Sequence, residues 1–217
     1  MQLPIEDRRR AGLALAGSLQ SLTGRSDTLV LALPRGGVPV AYEIARTLRA
    51  PLDLMLIRKL GVPGHAELAM GAIAIGGFRL LNQDVVHSLS IPDVTIAQVE
   101  QRERHELERR LRVYRGNKPL PELHDRCLIL VDDGVATGAT MRVAIASARQ
   151  QKPRLILVAV PLAPKDIASL LRREADRLVC LATPEPFISI GCWYRDFHQV
   201  SDEEVSALLS MSQQDLG

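Results

Sequence analysis

Five apolar runs punctuate the chain: residues 28–34 (TLVLALP), 52–57 (LDLMLI), 127–131 (CLILV), 153–160 (PRLILVAV) and 177–182 (RLVCLA). Runs of this length, with almost no polar alternation, suit strands covered on both faces of a parallel sheet. Apolar residues recur at helical spacing between them. Val40, Ile44, Ala45 and Leu48 follow the first run, Met141, Ala144, Ile145 and Ala148 follow the third, and residues 164–173 form a helix after the fourth. Strands alternating with helices predict an α/β fold built on a doubly wound parallel sheet.

The remaining stretches follow other patterns. Residues 1–22 carry Arg8, Arg9 and Arg10, then Leu13, Leu15, Ala16 and Leu19, an amphipathic helix packing on the domain. Residues 60–70 (LGVPGHAELAM) hold Gly61, Pro63 and Gly64 and are too rich in breakers for a regular element, which predicts a mobile loop. Residues 71–81 (GAIAIGGFRLL) read as a strand pair around a Gly-Gly turn, and 82–88 as a short helix. A long charged helix covers 91–115, with a stripe of Ile96, Val99, Leu107, Leu111 and Tyr114. Residues 91–118 read as a helical insertion, and 116–125, with Pro119 and Pro121, as the connector back to the sheet. The tail, 184–217, gathers Phe187, Trp193, Tyr194 and Phe197 in a chain only 3% aromatic. Ser201, with Glu204 three residues on, marks a capped helix start within it.

Composition narrows the classes. At 217 residues and 47% hydrophobic content the chain has enough apolar material for a medium domain. A net charge of +2 gives no case for bulk nucleic-acid binding. Cys127, Cys180 and Cys192 lack CxxC spacing. No apolar run reaches membrane length and no signal peptide is visible, so the expected setting is cytoplasmic and reducing.

The candidate chemistry sits at residues 127–149. Asp132 and Asp133 close the apolar run, and 134–140 form a loop of Gly, Val, Ala and Thr that opens a helix. Small residues let backbone approach a ligand, and a helix start offers unpaired N–H groups with a positive dipole end, a place for phosphate. Thr137 and Thr140 add hydroxyl donors. Adjacent carboxylates repel phosphate but accept from hydroxyls or meet a hydrated metal. Phosphate at one end and a diol in the middle describe a phosphorylated sugar. No Lys precedes Thr140, so this is not a Walker A loop.

The run VDDGVATGAT (131–140) resembles the signature of type I phosphoribosyltransferases, which bind 5-phosphoribosyl 1-pyrophosphate (PRPP). The resemblance implies that Asp132 and Asp133 meet the ribose hydroxyls and touch a metal through water. It also implies that Ala136, Thr137, Gly138, Ala139 and Thr140 wrap the 5-phosphate. Strand, then Arg35-Gly36-Gly37, then helix resembles the pyrophosphate loop of the same family, which assigns those three residues to pyrophosphate. Arg58-Lys59 with Gly61 and Pro63-Gly64 is similar to the segment leading into the catalytic loop of adenine phosphoribosyltransferases. That likeness implies pyrophosphate contacts for Arg58 and Lys59, and a lid at 60–70 that excludes water.

Hypoxanthine-guanine enzymes carry an Asp where this chain has Ala136. A general base therefore comes from elsewhere, with Glu67 and His65 as the titratable candidates and Glu67 preferred. The related enzymes hold their acceptor under a small hood. The tail takes that place here, with Trp193 or Tyr194 to stack on a heterocycle.

The expectation is a type I phosphoribosyltransferase-like doubly wound sheet with a helical insertion and a C-terminal hood. It is a pentosyltransferase of nucleotide metabolism that moves phosphoribose from PRPP to a nitrogenous acceptor, a nucleobase, with Mg2+ as cofactor. No membrane or nucleic-acid partner is expected, and a homo-oligomer stays open. The alternatives are a non-catalytic PRPP-binding regulator and a hydrolase of a phosphorylated sugar.

Overall fold

The apolar runs become strands of one five-stranded parallel sheet. In the computed structural model, which describes residues 2–215 apart from the side chains of Ala66 and Glu67, the strands are β1 (Thr28–Ala32), β2 (Leu52–Leu54), β6 (Cys127–Val131), β7 (Leu155–Leu162) and β8 (Arg177–Ala182), in the order β2-β1-β6-β7-β8. The described chain divides into two compact units, one of Met1–Met55 with Pro121–Gly217 and one of Leu56–Leu120.

The first unit holds the sheet. Every residue of β1 and β6 is buried, which is why these runs show no alternation. Helix α2 (Gly37–Leu48) links β1 to β2, α5 (Ala139–Gln150) links β6 to β7, and α6 (Lys165–Glu174) links β7 to β8. Parallel crossovers are right-handed. The β1-to-β2 and β6-to-β8 connections advance in opposite directions, so their helices lie on opposite faces and the strand order reverses between β1 and β6. Helix α1 (Arg8–Ser18) buries Ala11, Leu15 and Ala16 and crosses α2 closely, because a Cβ at Gly12 would come 2.5 Å from Val40 O.

The two ends of the first unit meet. Ile5 bridges Tyr194, its N–H donates to Trp193 O at 2.8 Å, and Arg195 N–H donates back to Ile5 O at 2.7 Å. Helix α7 (Asp202–Gln214) starts where expected, with Ser201 Oγ accepting from Glu204 N–H at 3.2 Å, and packs on α2.

The second unit is a three-stranded antiparallel sheet, β3 (Ile57–Val62), β4 (His65–Ala74) and β5 (Arg79–Leu81), with helices α3 (Gln83–Ser88) and α4 (Asp93–Arg115). It corrects two expectations. The run 52–57 is not one strand: β2 stops at Leu54, and Ile57 begins a strand of the other unit. Residues 60–70 are not irregular. They form the β3–β4 hairpin, in which Gly64 (φ 82°) serves the turn, and Gly61 sits at register shifts on both sides. The Gly-Gly turn is as read, with Gly76 at φ 81° and Gly77 at φ 85° between β4 and β5.

The basic residues of α4 are largely paired with glutamates of the same helix. Arg104 reaches Glu100 at 2.6 Å, and Arg109 and Arg110 reach Glu106 at 2.7 and 2.8 Å. Among the described residues no helix is long and apolar enough to cross a membrane.

Candidate functional site

Strand order reverses between β1 and β6, and ligands of open parallel sheets bind beyond the carboxyl ends of the strands at such a point. The two loops singled out by the sequence leave there together. Ala32 and Val131 are paired, and Leu33 N–H still donates to Val131 O at 2.8 Å beyond the strand end. The loops then press on one another. A Cβ at Gly36 would overlap Asp133 Oδ2 and lie 2.6 Å from its Cγ, while one at Gly37 would meet Val131 O at 2.7 Å and Asp132 Cα at 3.0 Å. Both glycines are therefore required by the neighbouring loop itself. The N–H of Gly37 closes the turn onto Leu33 O at 3.1 Å. Arg35, joined to Pro34 by a cis peptide, stays about a third exposed, with Nη1 3.6 Å from Asp202 Oδ1.

The two carboxylates are not equivalent. Asp133 is buried, and its Oδ2 accepts from Arg8 Nε at 2.8 Å. The Arg8 guanidinium also donates through Nη1 to His198 O at 2.8 Å and lies 4.0 Å over the Phe197 ring. Tyr194 donates its hydroxyl to Asp133 O at 2.7 Å, and its ring sits 5.0 Å from that of Phe197. Asp132 is half-buried, and its Oδ1 accepts from Asp133 N–H at 2.9 Å. Burial drives the Asp132 carboxyl well above the usual range, and the neighbouring Asp133 charge adds to the rise. Burial also raises Asp133, against the opposing pull of Arg8.

The loop after the pair is fixed at its start by its neighbours. Val135 N–H donates to Leu162 O at 2.9 Å, and Gly134 packs against Ile190, where a Cβ would come 2.6 Å from Cγ2. Gly138 takes φ 78° immediately before α5, a conformation that favours glycine. Ala136, Thr137 and Ala139 are exposed and Thr140 half-buried around the start of α5, and Thr137 Oγ1 accepts from Ala139 N–H at 3.4 Å. The sequence-derived residues Arg35, Gly36, Gly37, Asp132, Asp133 and 136–140 are thus gathered in the first unit.

Others lie elsewhere. Arg58 and Lys59 stand on β3 of the second unit, where Lys59 is exposed and Arg58 holds Glu103 of α4 at 2.6 Å. The Glu67 side chain lies outside the described residues. The stacking role expected of Tyr194 is corrected, because its ring is buried against Phe197 and its hydroxyl is bonded to the Asp133 backbone. Trp193 is half-buried, its carbonyl accepting from Ile5 N–H.

A cavity of about 430 Å³ at the carboxyl ends of β7 and β8 is lined by Lys165, Asp166, Ser169, Pro184, Glu185 and Phe187. Lys165 and Asp166 were missed in the sequence. They open α6 after Ala163 and Pro164, beyond the carboxyl end of β7.

A family model described as the phosphoribosyl transferase domain matches residues 7–191. The chain belongs to that family. Proteins of two Mycobacterium tuberculosis strains, CDC 1551 and H37Rv, named "Putative phosphoribosyl transferase MT0597" and "Putative phosphoribosyl transferase Rv0571c", are each 45% identical over 210 residues, covering 97% of this chain and 47% of theirs. The chain thus spans about half the length of the curated relatives it matches. The crystal structure of TT1426 from Thermus thermophilus has a TM-score of 0.81 at 41% identity, covering 94% of this chain and 97% of that one. The phosphoribosyl transferase match takes in Arg8 and the acidic pair but ends at 191, so Tyr194, which bonds to Asp133, and Phe197 and His198, which hold Arg8, lie beyond it.

Proposed function

We propose that the chain transfers the 5-phosphoribosyl group of PRPP to a nitrogenous acceptor, a nucleobase, with release of pyrophosphate. The observation that supports this best is the seating of the Gly36 loop on Asp133 beside the open start of α5. A diol-accepting carboxylate, a phosphate cradle and a cation then share one loop cluster.

In this reading Asp132 accepts from the ribose hydroxyls, and the loop 136–140 with the start of α5 holds the 5-phosphate. The bond from ribose C1 to the pyrophosphate oxygen breaks, and a bond from C1 to the acceptor nitrogen forms. Arg35 stabilises the negative charge that develops on the departing group. The acceptor nitrogen's proton passes to a base. The acceptor occupies the cavity beside Phe187, whose half-buried ring is suited to stacking on a heterocycle, with Lys165 and Asp166 to read its polar edge.

Magnesium fits in one way. Among the described residues no group of three or more His, Cys, Asp or Glu could hold a metal, and Asp133 is committed to Arg8. Asp132 would meet a hydrated Mg2+ through water, and the ion would supply neutralisation of phosphate charge.

Pyrophosphate release from PRPP with Mg2+, measured against purine and pyrimidine bases and small amines, tests the reading, with Asp132→Asn as control. Release that requires one acceptor and falls at least about a hundredfold in the control is expected. Tight PRPP binding without release favours the regulator instead. No binding of PRPP sinks the proposal.

A further inference from the structure

Asp133 is pinned from two sides. The Cα of Gly36 closes one side of its carboxylate, and Arg8, reaching in from the other end of the chain, holds Oδ2 at 2.8 Å. Arg8 is itself pinned. It is only 7% exposed, its Nη1 is bonded to a backbone carbonyl of the tail, and its face rests on Phe197. Tyr194 of the same tail segment fixes the Asp133 backbone. None of these groups belongs to the phosphate loop or the Gly36 turn.

We propose that Arg8 is a positioning residue of the ribose site: with Phe197 as its platform it locks the Asp133 carboxylate out of the site, so that Asp132 alone presents its carboxylate to the sugar hydroxyls. This rests on the reading of the loop cluster as a phosphoribosyl site.

A purely stabilising role explains the arrangement poorly. Desolvation offsets most of what a buried ion pair gains, and apolar residues of similar volume often do as well. The pair instead sets geometry. The guanidinium donates once to the carboxylate, through Nε to Asp133 Oδ2, and is itself held by its Nη1 bond to His198 O, which restrains the carboxylate's rotation. Asp133 N–H in turn donates to Asp132 Oδ1, so a shift of residue 133 re-aims Asp132 directly. Without Arg8 the Asp133 carboxylate has no anchor on that side and competes for the position that the hydroxyls need.

The test is hydroxyl discrimination rather than activity. Calorimetry gives the affinity of ribose 5-phosphate, 2-deoxyribose 5-phosphate and 3-deoxyribose 5-phosphate for the full chain and for Arg8→Met, Arg8→Lys and Phe197→Leu. The unaltered chain is expected to prefer ribose 5-phosphate over at least one deoxy sugar by about tenfold, one well-placed hydrogen bond to a charged group. In Arg8→Met that preference falls below about threefold, while the affinity for the deoxy sugar changes little. Arg8→Lys, which keeps the charge but not the fork, recovers part of it. Phe197→Leu, at a residue 36% exposed, loses about half of it. A general loosening of the fold would weaken all three sugars alike.

If the unaltered chain binds none of the sugars, or all alike, the phosphoribosyl reading fails. If it discriminates and Arg8→Met discriminates equally, or weakens all three sugars equally, the Arg8 proposal is overturned and the site reading stands. Should Arg8→Met not fold, full discrimination retained in both Arg8→Lys and Phe197→Leu overturns it, and loss in either supports it.

Discussion

At the scale of single residues, the site depends on an absent side chain as much as on charges. Gly36 has φ −60° and ψ −31°, a conformation open to any residue, so its backbone does not demand glycine. The space does, because a Cβ there meets the carboxylate of Asp133, whose other side is held by Arg8. A short, anchored side chain cannot swing away as a lysine tip could. Gly36→Ala is therefore expected to cost about 1–3 kcal/mol and to weaken ribose 5-phosphate binding. Gly17 provides the contrast within the same chain. It lies in α1, where an added methyl would find nothing within 4 Å, so Gly17→Ala is expected to stabilise by about 0.5–1 kcal/mol without altering binding. Denaturant titration and calorimetry of the two proteins check this pair. Equal behaviour at both positions would mean that the Gly36 loop does not rest on Asp133.

At the scale of elements, α4 shows how far a charged helix is internally compensated. Glu106 accepts from Arg109 at 2.7 Å and from Arg110 at 2.8 Å, and these two guanidiniums pull its carboxyl down to about 2 from an ordinary 4.5. A depressed acid favours the folded state while ionised. Its contribution is complete above about pH 4.5 and is lost as pH falls through about 2. Glu106→Gln is expected to destabilise by roughly 0.5–1 kcal/mol at pH 7, a surface-pair magnitude, with the difference shrinking steadily between pH 4.5 and pH 2. Denaturant titrations at pH 7, 4 and 3 check it, and a constant difference would assign the effect to packing instead. Element type was legible where burial is uniform. β6 is legible as a single run, because a strand buried at every residue carries no polar interruption, whereas β8, half-exposed at the edge of the sheet, is legible from its apolar residues alone. The β3–β4 hairpin was not legible. Gly61, Pro63 and Gly64 look like breakers until a partner strand shows that they serve its turn and its register shifts. Likewise, the motif at 131–140 named the acidic pair but not its asymmetry. The residue that divides Asp132 from Asp133 lies 125 positions away, and nothing in the local pattern points to it.

At the scale of the molecule, the first unit is closed by its own termini, and the closure reaches the site. The strap has three backbone bonds, Ile5 N–H to Trp193 O at 2.8 Å, Arg195 N–H to Ile5 O at 2.7 Å and Asp196 N–H to Glu6 O at 2.9 Å. It brackets Tyr194, which is bonded to Asp133, and leads to Phe197 and His198, which hold Arg8. Ile5 is 4% exposed and anchors the N-terminal side. A chain that begins at Glu6 keeps Arg8 and every residue of the loop cluster but loses that anchor and two of the three bonds. Burying an isoleucine and satisfying two backbone groups predicts a loss of about 2–4 kcal/mol on truncation. The amide of Arg195 loses its acceptor and that of Asp196 its fixed neighbour, so both are expected to exchange with solvent markedly faster. The discriminating comparison is with Ile5→Val, which removes one methyl and keeps the bonds. It should cost only about 0.5–1.5 kcal/mol and leave both amides protected. If truncation speeds exchange at 195 and 196 and also erodes the preference for ribose over deoxyribose 5-phosphate, the termini act on the acidic pair through Tyr194 and Arg8. If exchange rises while the preference holds, the strap closes the fold alone, and Arg8 with Phe197 is enough to hold Asp133.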